Sequence, residues 1–204
     1  MTDYSKIVIA TANLHKLKEI RQILSGLPVQ LLSLQDYPEI PPIIEGGETF
    51  QENAWIKAKT VFHHTGLLSL ADDSGLEVYA LNGSPGVYSA RFAGSEKNDL
   101  KNNKKLLNLL NEVPGNSRTA QFRCVVSIIG PDTEEFVEGF VRGKIADSPK
   151  GTAGFGYDPL FIPEGYHQTF AELGADIKNR MSHRALAFQA ARKIIEKYIL
   201  QPPI

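Results

Sequence analysis

A single cysteine, Cys124, means that no intrachain disulfide can form. It falls in an apolar-patterned stretch, Ala120 to Ile129, so we expect a small buried hydrophobe in a reducing compartment rather than a nucleophile. One cysteine cannot build a zinc site with His15, His63, His64, His167 and His183, and the spacing of these histidines fits no zinc motif. Charge of either sign is not in excess: 22 basic residues face 23 acidic ones, for a net −1. That balance excludes the basic footprint of a duplex nucleic-acid binder, although a few local cations would suffice for a small anion. No apolar run approaches the ~20 residues of a membrane span. Met1 to Lys6 is polar and carries no signal-peptide core. A cytoplasmic protein with no membrane partner is the expectation. The glycines of a Walker A loop or a dinucleotide fingerprint are missing too, as are internal repeats and low-complexity tracts.

What is present suits one domain over residues 1–204, built as an α/β fold. Hydrophobic residues make up 42% of the chain, enough for a real core. Ile7 to Ala10 reads as a buried strand. A helix follows from about His15 to Leu24, with Leu17, Ile20, Ile23 and Leu24 on one face. Val29 to Ser33 reads as a second strand. Asp36 to Gly47 holds three prolines and two glycines and must be a loop. Thr49 and Glu52 match a capping box opening the next helix, which runs to about His64. Leu67 to Ala71 predicts a strand that ends in the turn formers Asp72, Asp73, Ser74 and Gly75, with another strand over Leu76 to Ala80. Asp99 to about Asn111 predicts a helix. Thr119 to Ile129 and Glu135 to Ile145 predict a strand pair with one polar face carrying Gln121, Arg123 and Ser127. A glycine-rich loop, Gly151 to Pro159, precedes a strand over Leu160 to Ile162. The last helix is expected from about Ser182 to Tyr198.

Four segments carry candidate chemistry. After the first strand, Thr11 and Asn13 supply donors and Lys16 a charge at a helix N-terminus, where N–H groups and the dipole favour phosphate. Asp72 and Asp73 are adjacent carboxylates, a costly pair unless a cation or solvent intervenes. Successive side chains of an extended segment point to opposite sides, so only one can aim fully into a given site. Glu45, with Glu48 or Glu52, adds hard oxygen ligands of the kind magnesium takes. In the third segment, Phe155 and Tyr157 offer flat faces for a base, Gly156 lets backbone approach a ligand, and Asp158 can accept from a base N–H or serve as a turn residue. Lastly, Lys178, Ser182, His183 and Arg184 gather cations near a helix start, where an anion or a carbonyl-rich ligand would offset the dipole.

Taken in order, residues 9–16 (IATANLHK), 45–54 (EGGETFQENA), 71–76 (ADDSGL), 83–91 (GSPGVYSAR), 154–159 (GFGYDP) and 182–184 (SHR) resemble the inosine triphosphate pyrophosphatase family, the dITP/XTP pyrophosphatases. One departure is Ala12, where the family loop commonly reads Thr-Gly-Asn. The resemblance implies an elongated mixed β-sheet flanked by helices, two lobes with a central active-site cleft, and a homodimer. It implies hydrolysis of inosine, deoxyinosine and xanthosine triphosphates to monophosphate and pyrophosphate, with Mg2+ as cofactor. It gives Thr11, Ala12, Asn13, Leu14, His15 and Lys16 to the triphosphate and Glu45 and Asp73 to magnesium. Asp73 is also the proton acceptor. Ser74, Phe155, Gly156, Tyr157, Asp158, Lys178, His183 and Arg184 are left to contact the nucleotide.

Overall fold

The computed structural model describes residues 6–200; the polar start, except for Lys6, lies outside them. Six strands form one mixed sheet in the order β2-β1-β3-β4-β5-β6. They are β1 (Lys6–Ile9), β2 (Gln30–Ser33), β3 (Leu68–Val78), β4 (Thr119–Gly130), β5 (Thr133–Ile145) and β6 (Phe161–Pro163). β1 runs parallel to both β2 and β3, pairing Val8 with Leu32 and with Ser69. β5 and β6 are antiparallel. The helices are α1 (Leu14–Ile23), α2 (Phe50–Thr65), α3 (Asp99–Leu109), α4 (Phe170–Leu173), α5 (Ala175–Met181) and α6 (His183–Leu200). An α/β fold with a mixed sheet and flanking helices is therefore as expected.

The chain divides into two compact units. One comprises Met1–Asp73, Cys124–Gly139 and Arg184–Ile204; the other comprises Ser74–Arg123 and Phe140–His183. The first unit has apolar side chains around β1. Ile7, Ile9, Leu17, Ile20, Leu24, Leu70, Cys124, Phe188, Ala191 and Ile195 form one cluster, and Val8, Ala10, Ala58, Val61 and Ala71 form a second. β1 is covered on both faces, which is why its residues run apolar without alternation. Full burial of a side chain such as Ile20 is worth about 1.5–3 kcal/mol. The second unit packs Leu76, Leu106, Phe122, Phe161 and Phe170 together. Phe122, Phe161 and Phe170 lie in ring contact, with Phe122 and Phe161 centroids 4.7 Å apart.

Three expectations change. The acidic segment is not a turn between two strands: Asp72, Asp73, Ser74 and Gly75 lie within the single eleven-residue strand β3. Turn propensity lost to the ladder and to the charged partners described below. The polar face assigned to β4 holds only near its start, because Ser127 is fully buried while Gln121 and Arg123 are partly exposed. Between β6 and α6 lie two short helices, α4 and α5, that periodicity did not reveal, since neither reaches two full turns with a repeating apolar face. Lys178 sits in α5, and Ser182 caps the C-terminus of that helix.

Candidate active site

In the first unit the chain leaves β1 and enters α1 through Ala10 to Asn13. Asn13 caps the helix: its Oδ1 accepts from the N–H of His15 (2.9 Å) and Lys16 (3.2 Å). The Thr11 hydroxyl oxygen accepts from the Asn13 N–H at 3.2 Å. Ala12, Asn13, Leu14 and His15 are exposed at this helix start. Ala12 is not among the residues with positive φ, so an alanine in this loop carries no backbone strain of the kind glycine relieves.

Beside this loop, β3 displays its two carboxylates in opposite senses, as strand alternation requires. Asp72 is fully buried and its Oδ2 accepts from Lys16 Nζ at 2.9 Å and from Arg184 Nε and Nη2 at 3.3 Å each. Arg184 Nη1 donates to Glu19 Oε2 at 2.6 Å. Burial alone would raise the Asp72 carboxyl, but the attraction of Lys16, then Arg184, then Lys57 outweighs it and holds the group well below the usual carboxylate range. Cys124 is buried against the same carboxylate, with Sγ 3.8 Å from Asp72 Oδ2. Burial, and then Asp72, push its thiol up.

Asp73 meets a different cation. Lys57 Nζ lies 3.4 Å from Asp73 Oδ1 and 3.4 Å from Glu45 Oε1. Burial raises the Asp73 carboxyl, the pull of Lys57 and Lys16 does not offset it, and Glu45 and Asp72 add repulsion. The result is a carboxylate with more than usual affinity for a proton. For Lys57, burial lowers the ammonium, yet Asp73, Glu45 and Asp72 more than compensate and the group is raised. Asp73 Oδ2 is buried and has no hydrogen-bond partner among the described residues.

Lys57 was not among the residues singled out from the sequence. The signal was there: Lys57 and Asn53 are polar, one turn apart, beside the buried positions Phe50, Ala54, Ala58 and Val61 of α2, and both are buried themselves. Asn53 holds the Glu45 loop, since its Oδ1 accepts from the Gly47 N–H at 2.9 Å and its Nδ2 donates to the Gly47 carbonyl at 3.3 Å. The Glu52 carboxylate plays a different part from the ligand role considered for it. Glu52 completes the capping box, its Oε2 accepting from the N–H groups of Glu48 (2.7 Å) and Thr49 (3.1 Å). The candidate metal donors are thus Glu45 and Asp73. Among the described residues no group of three or more His, Cys, Asp or Glu side chains is arranged to cage an ion. Two carboxylates fit magnesium, which takes one or two from protein and the rest from water and phosphate.

The second unit gathers the other candidates. Asp158 is buried and forms a 2.6 Å pair with Lys178 Nζ. The same carboxylate oxygen accepts from the Phe155 N–H at 2.8 Å. A Cβ on Gly154 would lie 2.1 Å from Asp158 Oδ2, and its φ is +80°, so glycine is required there on two counts. Lys178 Nζ stands 4.5 Å from the Phe155 ring centroid. The Tyr157 hydroxyl donates to the Ser89 carbonyl at 2.9 Å, which buries the ring as a strut of the loop rather than a flat contact face. His183 is buried and stacks on Phe122, centroids 4.7 Å apart and planes within 10°. Ser74 is half-buried on β3.

The profile of the Ham1 family matches residues 7–194. A dITP/XTP pyrophosphatase of Geobacter sulfurreducens is 50% identical over 184 residues, 90% of this chain and 92% of that one. One from Desulforamulus reducens is 49% identical over 198 residues, covering 96% and 98%. The solved Ham1 protein of Staphylococcus aureus superposes with a TM-score of 0.85 at 40% identity, covering 94% of this chain and 98% of that one. A nucleoside-triphosphatase, also named dITP/XTP pyrophosphatase, from Mycobacterium abscessus gives 0.75 at 44% identity, over 91% and 98%.

Proposed function

This chain belongs to the Ham1 family, and from that premise we propose that it hydrolyses inosine, deoxyinosine and xanthosine triphosphates to the monophosphate and pyrophosphate. The observation that carries the chemistry is Asp73, a buried carboxylate of raised proton affinity with Lys57 and Glu45 beside it. A general base is most effective when its pKa lies nearer to neutral than that of an ordinary carboxyl.

The proposed roles rest on the family resemblance together with the contacts above. Thr11 to Lys16 present helix N–H groups and the Lys16 ammonium to the triphosphate. Asp73 takes a proton from the attacking water, whose oxygen bonds to the α-phosphorus. The bond from that phosphorus to the bridging oxygen breaks, and pyrophosphate leaves with the electron pair. Lys57 fixes Asp73 and Glu45 relative to each other and leaves Asp73 Oδ2 without a hydrogen-bond partner among the described residues. Glu45 and Asp73 would hold Mg2+; when bound, it neutralises phosphate charge and lowers the pKa of water. Phe155 supplies a face for the purine. Lys178 and His183 supply donors suited to the oxygen that deaminated purines carry at position six, and Ser74 a further polar contact. Asp158 holds Lys178 and Phe155 in place. Arg184, with Glu19, fixes Asp72 and through it Lys16.

The family match over residues 7–194 supports reading the chain as one enzymatic domain, whose substrate would come from the cytoplasmic nucleotide pool. No helix among the described residues is long and apolar enough to cross a membrane. A homodimer completes the proposal. The test is product analysis of inosine triphosphate hydrolysed with magnesium. Inosine monophosphate and pyrophosphate are expected; inosine diphosphate and orthophosphate as main products would overturn the reading.

A further inference from the structure

Within the second unit, the backbone of Gly156 is gripped at both of its polar groups by side chains of one helix. Asp99 Oδ2, in the first turn of α3, accepts from the Gly156 N–H at 2.7 Å. Asn103, four residues on, donates from Nδ2 to the Gly156 carbonyl at 3.0 Å. Positions i and i+4 stack on one face of a helix, so the pair forms a two-pronged holder. Gly156 lies between Phe155 and Tyr157 and has φ +63°, a left-handed conformation.

Asn103 is only 5% exposed. Asparagine is a weaker helix former than leucine or alanine, and here its Oδ1 is buried without a hydrogen-bond partner among the described residues. An apolar residue would stabilise α3 better on both counts. What asparagine adds is the bond to Gly156. Asp99 is exposed and the N-cap role is already filled by Asn98, whose side chain accepts from the Lys101 N–H. The Asp99 carboxylate is therefore directed to the loop rather than to capping.

We propose that Asp99 and Asn103 are positioning residues for purine selection, holding the Gly156 peptide so that the Phe155 ring is presented in one fixed orientation. The inference rests on the proposed role of Phe155. Phe155 is restrained on one side by its own N–H to Asp158 and on the other by the following peptide, whose Gly156 N–H donates to Asp99. A residue whose backbone is held on both sides projects its side chain in one direction, so less freedom is lost when a base stacks on the ring, and discrimination between bases then depends on that direction. The two helical prongs touch neither phosphate candidates nor Asp73, so their loss should act on affinity and selectivity and spare the chemical step.

Asn103→Asp keeps size and replaces the donor with an acceptor facing the Gly156 carbonyl. Asp99→Ala removes the other prong, and Asp99→Asn keeps an oxygen that can accept. The measurements are KM and kcat for inosine and adenosine triphosphates, with amide hydrogen exchange at Gly156. Loss of one prong should raise KM for inosine triphosphate about 3–10-fold, the scale of one hydrogen bond. The preference over adenosine triphosphate should narrow, kcat should stay within about twofold, and Gly156 should exchange faster. Asp99→Asn should restore most of the preference. If Asn103→Asp fails to fold, the Asp99 pair decides, since that side chain is exposed at a helix start. Faster Gly156 exchange with unchanged preference and KM would overturn the proposal and leave the prongs as scaffolding. If the wild type makes no monophosphate from inosine triphosphate, the functional reading itself fails, a distinct outcome.

Discussion

Asp72 and Asp73 are consecutive on β3, yet they meet different cations: Asp72 accepts from Lys16 and Arg184, while Asp73 faces Lys57. The same alternation gives them opposite proton affinities, Asp72 depressed and Asp73 raised. One carboxylate is held as a fixed charge, and its neighbour is the one we propose as the base.

Asp73→Asn should therefore lower kcat by about 100-fold or more, the scale of losing a general base. Its melting temperature should hold or rise, because an ionised carboxylate disfavoured by burial has been removed. Asp72→Asn should do the reverse. It leaves Arg184, 1% exposed, facing a neutral amide, and breaking a buried ion pair from one side costs about 3–5 kcal/mol. Denaturation curves and steady-state rates on both variants test this. A larger kcat loss in Asp72→Asn than in Asp73→Asn, with the fold intact, would reverse the assignment.

Stability against acid should carry the signature of Asp72. Its folded pKa lies below the unfolded value of ~3.9, so its contribution is complete above that value and is lost as pH falls towards the folded one. Acid titration of the unfolding free energy should show a decline beginning near pH ~4–5 that is shallower in Asp72→Asn. Identical slopes in the two proteins would contradict the depressed carboxyl.

Lys57→Met should move the acid limb of the kcat/KM profile to higher pH. Lys57 is the strongest of the neighbours that lower Asp73, and without it the base needs a higher pH to ionise. A limb that stays in place would assign the profile to another group.

Glu45→Gln should raise the magnesium concentration needed for half-maximal rate. The increase should reach at least the ~10–100-fold that loss of an outer-shell partner costs a metal site. Manganese binding to the free protein, followed by electron paramagnetic resonance, should weaken in parallel. Unchanged metal dependence would remove Glu45 from the site.

Much of this was legible in the sequence because it is local. The Thr49 and Glu52 box and the apolar stripe of α6 are set by spacings of three or four residues, and the structure bears them out. The segment at Asp72 was misjudged for a physical reason: turn formers remain in a strand when buried cations from distant chain positions hold them there. Lys16, Lys57 and Arg184 lie 56, 15 and 112 positions away from Asp72, separations that no window of local pattern spans. Arg184 illustrates the same limit. As a cation at a helix start it suggested an anion, and the anions it bonds are the protein's own Asp72 and Glu19. Asn53, Asn103 and Lys57 were missed because a polar residue on a packed helix face reads as noise until its partner is known.

The burial of Cys124 has a use beyond packing. It is the sole thiol of the chain, it is fully enclosed, and its ionisation is suppressed by burial and by Asp72. Thiol reagents attack the thiolate, so labelling proceeds only when the strands around β4 part. The wild-type protein thus carries an intrinsic stopwatch for its own opening. Ellman's reagent, with no engineered probe, would time how often the first unit breathes and how far a bound nucleotide slows it.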